Sequence, residues 1–444
     1  MQSTKHLGES GATMPSIVVS GGTRLRGTVR VSGAKNSALK LMAASLLAPG
    51  VSVIHNTPDI ADVSTMAEVL GGLGVPVDRV GATLTVDATD IGSHEAPYDL
   101  VAQMRASIVV LGPLLARLGR ARVAMPGGCN IGSRKIDLHL RGLTELGVHI
   151  ASEHGYIEAE APYGLRGASI ALDFPSVGAT ENLLMAGAAA QGTTVIENAA
   201  REPEIQDLVA FLNGMGARIE GAGTSTIVIE GVAHFTPVEH TVVGDRIEAG
   251  TFLVAGALTG GPVTVTGAEA HHLDLVLSKL AAAGALVTTD ARGITVERTG
   301  PIRPVDVATL PYPGFPTDMQ PQHMALMSLA EGDSVITENV FESRFMFADE
   351  LRRMGADIAI EGHRAIVRGV AELSGAPVRS PDLRGGAALV LAGLVADGET
   401  TVADIHHILR GYEGLTEKLC SLGADVRVVC DADERVGGFH AHEG

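Results

Sequence analysis

Two hydrophobic periods alternate along the chain. Short runs with apolar residues at every second position read as half-buried strands, and longer runs repeating at three and four read as helices. Thr28 to Val31 is a strand of the first kind. Next comes a helix that Asn36 can cap, with Leu39, Met42, Ala43 and Leu46 on one face and Gly50 at its end. Val51 to Ile54 is a second strand, and Ala61 to Leu73 a second helix carrying Val63, Met66, Ala67 and Leu70. Val75 to Val77 and Thr83 to Val86 close the unit as a hairpin around Gly81. The order is β-α-β-α-β-β.

That order recurs. Ser169 to Leu172, Ala179 to Ala190, Thr194 to Glu197 and Ile205 to Met215 repeat it and lead into another hairpin. Six times a helical pattern ends on an apolar residue, then Gly, then an apolar strand opening: at Gly74, Gly147, Gly216, Gly284, Gly355 and Gly423. Gly just past a helix accepts the left-handed conformation that ends it. The spacing is about 70 residues, long for a repeat but regular. Six such units nearly fill the chain, and three would fill one domain. The fourth begins near His240, so a boundary is expected around Val242 to Asp245. The small, Ala-rich helices are expected inside and the sheets outside.

Composition narrows the function. A chain of 444 residues suggests two or three domains. With 45% hydrophobic but only 3% aromatic residues, the cores should be aliphatic layers. No apolar run reaches the ~20 residues of a membrane helix, and Met1 to Pro15 has no apolar signal-peptide core, so a cytoplasmic protein is expected. A net charge of −18 argues against general nucleic-acid binding but allows one positive pocket. Cys129, Cys420 and Cys430 do not form a disulfide or zinc pattern, and the last two read as structural. His271-His272 and His406-His407, read as strand neighbours, would face opposite ways and make poor metal sites. There is no Lys-Ser or Lys-Thr phosphate loop, no two-His helix motif and no Cys-x-x-Cys pair.

Three clusters carry candidate chemistry. Ser32-Gly33-Ala34-Lys35-Asn36 lies at a strand-to-helix junction, where backbone N–H groups and the helix dipole suit an anion. The alternative is a capped helix with an exposed Lys. Pro126 to Arg134 is a glycine-rich loop presenting Cys129 with Arg134 five residues on, and positive neighbours favour a thiolate. Asp318, in Pro313-Gly314-Phe315-Pro316-Thr317-Asp318, precedes a helix and is either its cap or a general base. Arg105, Arg344, Asp382, Arg384 and Arg410 are further charged positions, with Arg384 and Arg410 at equivalent helix starts in the last repeat.

Taken together, these clusters resemble the enolpyruvyl transferase family. The motifs are Ser-Gly-Ala-Lys-Asn at 32–36, Met-Arg-Ala-Ser at 104–107, Pro-Gly-Gly-Cys at 126–129, Ser-Val-Gly-Ala-Thr at 176–180, Ala-Ala-Arg-Glu-Pro-Glu-Ile at 199–205 and Phe-Pro-Thr-Asp-Met-Gln at 315–320. The resemblance runs from about Ile17 to Val429. It implies an α/β, two-domain, inside-out barrel fold with three repeats per domain. The expected domains are 35–243 and 15–34 plus 244–435, with tails at 1–14 and 436–444.

The activity it implies is transfer of the enolpyruvyl group of phosphoenolpyruvate to the 3-hydroxyl of UDP-N-acetylglucosamine, the first committed step of peptidoglycan synthesis, without metal or cofactor. By resemblance, Lys35, Arg134 and Arg410 hold the phosphate, and Arg344, Arg384 and Arg410 the carboxylate. Cys129 matches the loop cysteine that serves as general acid at C3 or in product release and that fosfomycin alkylates, and Asp318 matches the base for the hydroxyl. Asn36 and Asp382 support the intermediate and proton traffic, while Arg105, Asp137, Ser176, Val177, Gly178 and Val340 line the nucleotide sugar. The expected state is a monomer or weak homo-oligomer. Lys135, Leu409 and Gly385-Gly386 depart from the family pattern. They motivate an alternative: a specialised-metabolism relative acting on UMP or a related nucleotide in nucleoside-antibiotic biosynthesis.

Overall fold

A computed structural model describes residues 15–125 and 136–430. Its strands form six small sheets, five of four strands and one of three. The third repeat shows the common plan. Ser169–Ala171 runs parallel to Thr193–Glu197, joined through the helix Val177–Ala188. Thr193–Glu197 pairs antiparallel with Thr226–Glu230, which pairs with Arg218–Glu220. The helix Pro203–Gly214 connects the two halves. The fifth unit repeats this with Val307–Ala308, Asp333–Thr337, Arg364–Arg368 and Asp357–Glu361. In the second unit the opening strand shrinks to a single bridge, Glu95 to Arg122. All six glycines that follow the helices have φ between 83° and 102°. That is the left-handed conformation for which glycine is suited.

In four of the units, the first, fourth, fifth and sixth, the opening helix is buried on nearly every side. Lys35–Ala44 buries all but Asn36, Arg246–Thr259 all but Thr259, Gln320–Met327 everything, and Leu383–Gly393 all but Leu383. The last three pack on one another. Small side chains permit this: Ala and Gly let helices approach without an exposed face. The sheets lie outside, with strands such as Thr226–Glu230 alternating exposed and buried positions. The buried apolar residues fall into two clusters with no residue in common. One runs from Ala34 to Val242, and the other takes Ile17 to Val31 and Ile247 to Val426.

Two strands are not where a simple tandem repeat would put them. Thr28 to Val31 reads as the opening strand of the first unit, but Gly27–Arg30 pairs parallel with Val263–Thr266 of the fourth. In return, Glu239–Thr241 pairs with Val51–His55 of the first. The first and fourth units thus exchange opening strands, and the chain passes twice between the cores. The two passing segments are hydrogen-bonded side by side, Ala34 N to Val243 O at 2.7 Å and Asp245 N to Ser32 O at 2.9 Å. A second displacement joins the chain ends. Ser16–Ser20 inserts between Glu399–Ala403 and Asp425–Val429, taking the place that Thr226–Glu230 has in the third unit.

Close backbone approach fixes the crossing. A Cβ on Gly33 would lie 1.8 Å from the carbonyl oxygen of Asn56, and one on Gly244 1.7 Å from that of Gly267. Gly244→Ala is therefore expected to force a backbone shift and lower stability by about 1–3 kcal/mol. Gly71→Ala, in a helix with nothing within 4 Å of the added atom, should instead raise it by about 0.4–1 kcal/mol. Denaturant unfolding of both variants checks the contrast.

Candidate active site

The crossing delivers the starts of two buried helices, one from each core, to one place. Asn36 does not cap its helix. Lys35–Ala44 begins one residue earlier, after an extended Ala34, and the Lys35 N–H donates to Asp245 Oδ2 at 3.2 Å. Asp245 also caps Arg246–Thr259, accepting from Ile247 N at 2.8 Å and Glu248 N at 2.9 Å. One carboxylate therefore answers the positive ends of both helices.

Lys35 points at Asp62, on the first turn of Ala61–Gly72, with Nζ 2.7 Å from Oδ2. From the other core Arg410 reaches the same carboxylate, Nε to Oδ1 at 2.8 Å and Nη2 to Oδ2 at 3.4 Å. Burial pulls the Lys35 ammonium below its ordinary pKa; Asp62 opposes this, and the charges of Arg384 and Arg410 reinforce it. The Asp62 carboxyl also lies below its ordinary value, because Lys35 and Arg410 outweigh the opposing effect of burial. The two shifts are compatible: Asp62 serves two cations, whereas Lys35 is crowded by two guanidiniums.

A second fork sits beside the first. Asp318 lies in a short turn, Thr317–Met319, and Met319 rather than Asp318 flanks the following helix. Its carboxylate bridges Arg344 Nη2 at 2.9 Å and Arg384 Nε at 3.2 Å. Both arginines are only 2% exposed. Among the described residues, Arg344 Nε and Arg384 Nη1 find no hydrogen-bond partner. Burial would lower the Arg384 pKa, but Tyr412, Asp318 and Asp245 more than offset it, so the guanidinium stays charged. Asp382 caps the helix that presents Arg384, accepting from Arg384 N at 2.9 Å and Gly385 N at 3.1 Å. Arg410 follows the short helix His406–Leu409, at its end rather than its start.

The other expected residues divide into groups. Ser176 caps Val177–Ala188, accepting from Ala179 N at 3.3 Å, with Val177 and Gly178 on the first turn. A Cβ on Gly178 would lie 3.0 Å from the His139 ring, so this turn abuts the helix begun by the exposed Asp137. Val340 N donates to Glu338 Oε1 at 2.8 Å. Buried Glu338 also accepts from Thr309 and Thr317, each at 2.8 Å, and so ties the Val340 loop to the Asp318 turn. Arg105 begins the turn Arg105–Val110. Cys129, Arg134 and Lys135 lie outside the described residues. Cys420 and Cys430 are both exposed, not core residues. The histidine pairs occupy helical turns rather than strands, with ring centroids 4.2 and 4.0 Å apart. Among the described residues, no group of three or more His, Cys, Asp or Glu could hold a metal.

Sequence reasoning missed Asp62, Asp245 and Glu338. Asp62 had a visible signal, since it stands on the first turn of a recognisable helix, but an acidic residue there is ordinarily explained by the helix dipole. Chemically, the arrangement offers two adjacent cation pairs, suited to a small ligand with two anionic groups, and a carboxylate at the rim.

A family model described as EPSP synthase (3-phosphoshikimate 1-carboxyvinyltransferase) matches residues 19–419. The chain is 56% identical over 416 residues to a UDP-N-acetylglucosamine 1-carboxyvinyltransferase of Desulfosudis oleivorans, covering 94% of this chain and 100% of that one. It is 55% identical over 413 residues to the protein of that name from Mycobacterium tuberculosis, covering 93% and 99%. Among solved structures, the enolpyruvyl transferase NikO from Streptomyces tendae aligns with a TM-score of 0.85 at 32% identity, over 94% of this chain and 99% of that one. EPSP synthase from Acinetobacter baumannii aligns with a TM-score of 0.74 at 18% identity, over 94% and 100%, a likeness of fold.

The Lys35 shift has a measurable consequence. As pH rises, Lys35 should lose its proton below the ordinary lysine value of 10.5, and the site then loses one cation. Inorganic phosphate affinity, measured by calorimetry, is expected to fall with a midpoint below that value. Lys35→Arg should abolish this alkaline decline, because a guanidinium does not titrate there.

Proposed function

Because the chain belongs to the enolpyruvyl transferase family, we propose that it transfers the enolpyruvyl group of phosphoenolpyruvate to the 3-hydroxyl of UDP-N-acetylglucosamine and releases phosphate. The observation that carries this is 56% identity, across 94% of the chain, to a relative named for that reaction. The product commits the sugar nucleotide to peptidoglycan synthesis. The same reading puts the protein in the cytoplasm. Among the described residues, no helix is long and apolar enough to cross a membrane.

On this reading the two cores are two domains, 35–243 and 15–34 plus 244–435, and the substrates bind between them. Asp318 takes the proton from the acceptor hydroxyl as its oxygen adds to C2 of phosphoenolpyruvate, while C3 gains a proton from Cys129. The tetrahedral ketal then loses phosphate and a C3 proton, which regenerates the enol. Lys35, Arg134 and Arg410 hold the phosphoryl group, and Arg344, Arg384 and Arg410 the carboxylate. Each balances negative charge that grows on the leaving phosphate or stays fixed on the donor carboxylate. Asn36 and Asp382 support the intermediate. Arg105, Asp137, Ser176, Val177, Gly178 and Val340 line the nucleotide sugar.

The UMP alternative has less support. The relatives compared above at 55% and 56% identity are named for the sugar nucleotide. One of the alternative's three motivating departures, the glycine pair, also has a packing explanation. A Cβ on Gly385 would lie 2.8 Å from Asp382 Oδ2 and Phe347 Cβ, and one on Gly386 2.1 Å from Ser380 Oγ. Leu409 is half exposed and is not among the residues forming either cation fork.

Phosphate release from phosphoenolpyruvate, assayed with UDP-N-acetylglucosamine and UMP in parallel, decides between the acceptors. Turnover is expected with the sugar nucleotide alone, and Asp318→Asn should reduce kcat by about 10²–10⁴-fold. Turnover with UMP alone would overturn the assignment.

A further inference from the structure

The two carboxylates that bridge the cation pairs are not equivalent. Asp62 is 6% exposed and packed between Lys35 and Arg410. Asp318 is 25% exposed and stands on a short turn at the rim. Its two oxygens occupy different guanidiniums, Arg344 at 2.9 Å and Arg384 at 3.2 Å. These are the arginines that the proposed function gives to the donor carboxylate. Each keeps a buried N–H, Arg344 Nε and Arg384 Nη1, with no partner among the described residues. The fork thus holds one carboxylate and retains donors for another arrangement. A carboxylate engaged by two arginines also has its charge compensated at the place where it is needed to attract a hydroxyl proton.

We propose that Asp318 is a displaceable internal counter-ion, and that the donor's carboxylate takes Arg344 and Arg384 by exchange, turning Asp318 towards the acceptor hydroxyl. The inference rests on the proposed function, since it names the carboxylate of that donor. No bond is made or broken in the exchange: one carboxylate replaces another on the same two cations. Donor binding and base release thereby become one event, so the acceptor is not deprotonated before a donor is in place. The surrounding contacts suit a hinged turn. Glu338 anchors Thr317 at 2.8 Å from a neighbouring segment, leaving the next side chain to swing about a fixed residue.

An internal competitor lowers apparent affinity by the fraction of sites it occupies. Neutralising it should therefore tighten donor binding while turnover is lost. Equilibrium binding of phosphoenolpyruvate is to be measured in wild type and Asp318→Asn, with an acceptor lacking the 3-hydroxyl so that no turnover occurs. Vinyl phosphate, which has the phosphate but no carboxylate, is the parallel probe. The expected result is ~3-fold or greater tightening for phosphoenolpyruvate and none for vinyl phosphate. Unchanged or weaker phosphoenolpyruvate binding would mean that Asp318 organises the arginines and would overturn the proposal. Equal tightening of both probes would overturn it too, by showing a general charge effect. If Asp318→Asn does not fold by circular dichroism, Asp318→Ser carries the same comparison. Absence of phosphate release by wild type with its proposed substrates would remove the functional reading itself, a separate failure.

Discussion

The site depends on one constraint: positive charges brought close together out of water must be given counter-charges. Lys35, Arg344 and Arg384 are all buried, and isolated buried charges are strongly disfavoured. Asp62 meets the constraint for Lys35 and Arg410 together, and Asp318 for Arg344 and Arg384. Each carboxylate holds two cations that are remote in sequence. The counter-ions therefore do more than neutralise. Asp62, held between Lys35 and Arg410, sets the separation and direction of those two cations.

The architecture makes such pairing possible because the cores are not simply joined end to end. Exchange of Gly27–Arg30 and Glu239–Thr241 draws both chain passages through the same gap. Lys35 begins its helix at that gap, and Asp245 begins the partner helix. Further ties cross between the cores: Arg246 Nε to Glu204 Oε1 at 3.0 Å, and Tyr312 N to Glu202 Oε1 at 3.3 Å. The closeness of Gly33 and Gly244 to neighbouring carbonyls leaves no room for a side chain there. Backbone sterics at two glycines thus govern where Lys35 stands.

Much of this was legible in the sequence, and the limits have physical reasons. Helix ends were plain, because a glycine after an apolar turn has a local conformational meaning that all six positions obey. The β-α-β-α-β-β order followed from periodicity, whereas burial of the helices was suggested by their small, Ala-rich composition and not by periodicity. Strand partnership did not follow. A strand such as Gly27–Arg30 carries no local mark of which of two equivalent sheets it joins. Asn36 looked like a cap because Asn is a good one, but the structure uses Asp245, 210 residues away, on the preceding N–H. Asp318 read as either a cap or a base in sequence, and the fold excludes the cap because Met319 flanks the helix. Asp62 was hidden by its ordinary place on a first helical turn. Resemblance supplied the cation set, whereas the carboxylates that organise it needed the fold.

Asp62 is a shared counter-ion that reaches cations from both cores. The direct measurement is a double-mutant cycle on unfolding free energy with Asp62→Asn, Arg410→Gln and the combined variant. A partly exposed guanidinium on a buried carboxylate, if the two depend on each other, predicts an interaction energy of about 1 kcal/mol or more, the double variant losing less than the sum of the singles. Costs that add to within about 0.3–0.5 kcal/mol would show that Arg410 and Asp62 stand near each other without depending on each other, and would contradict the account.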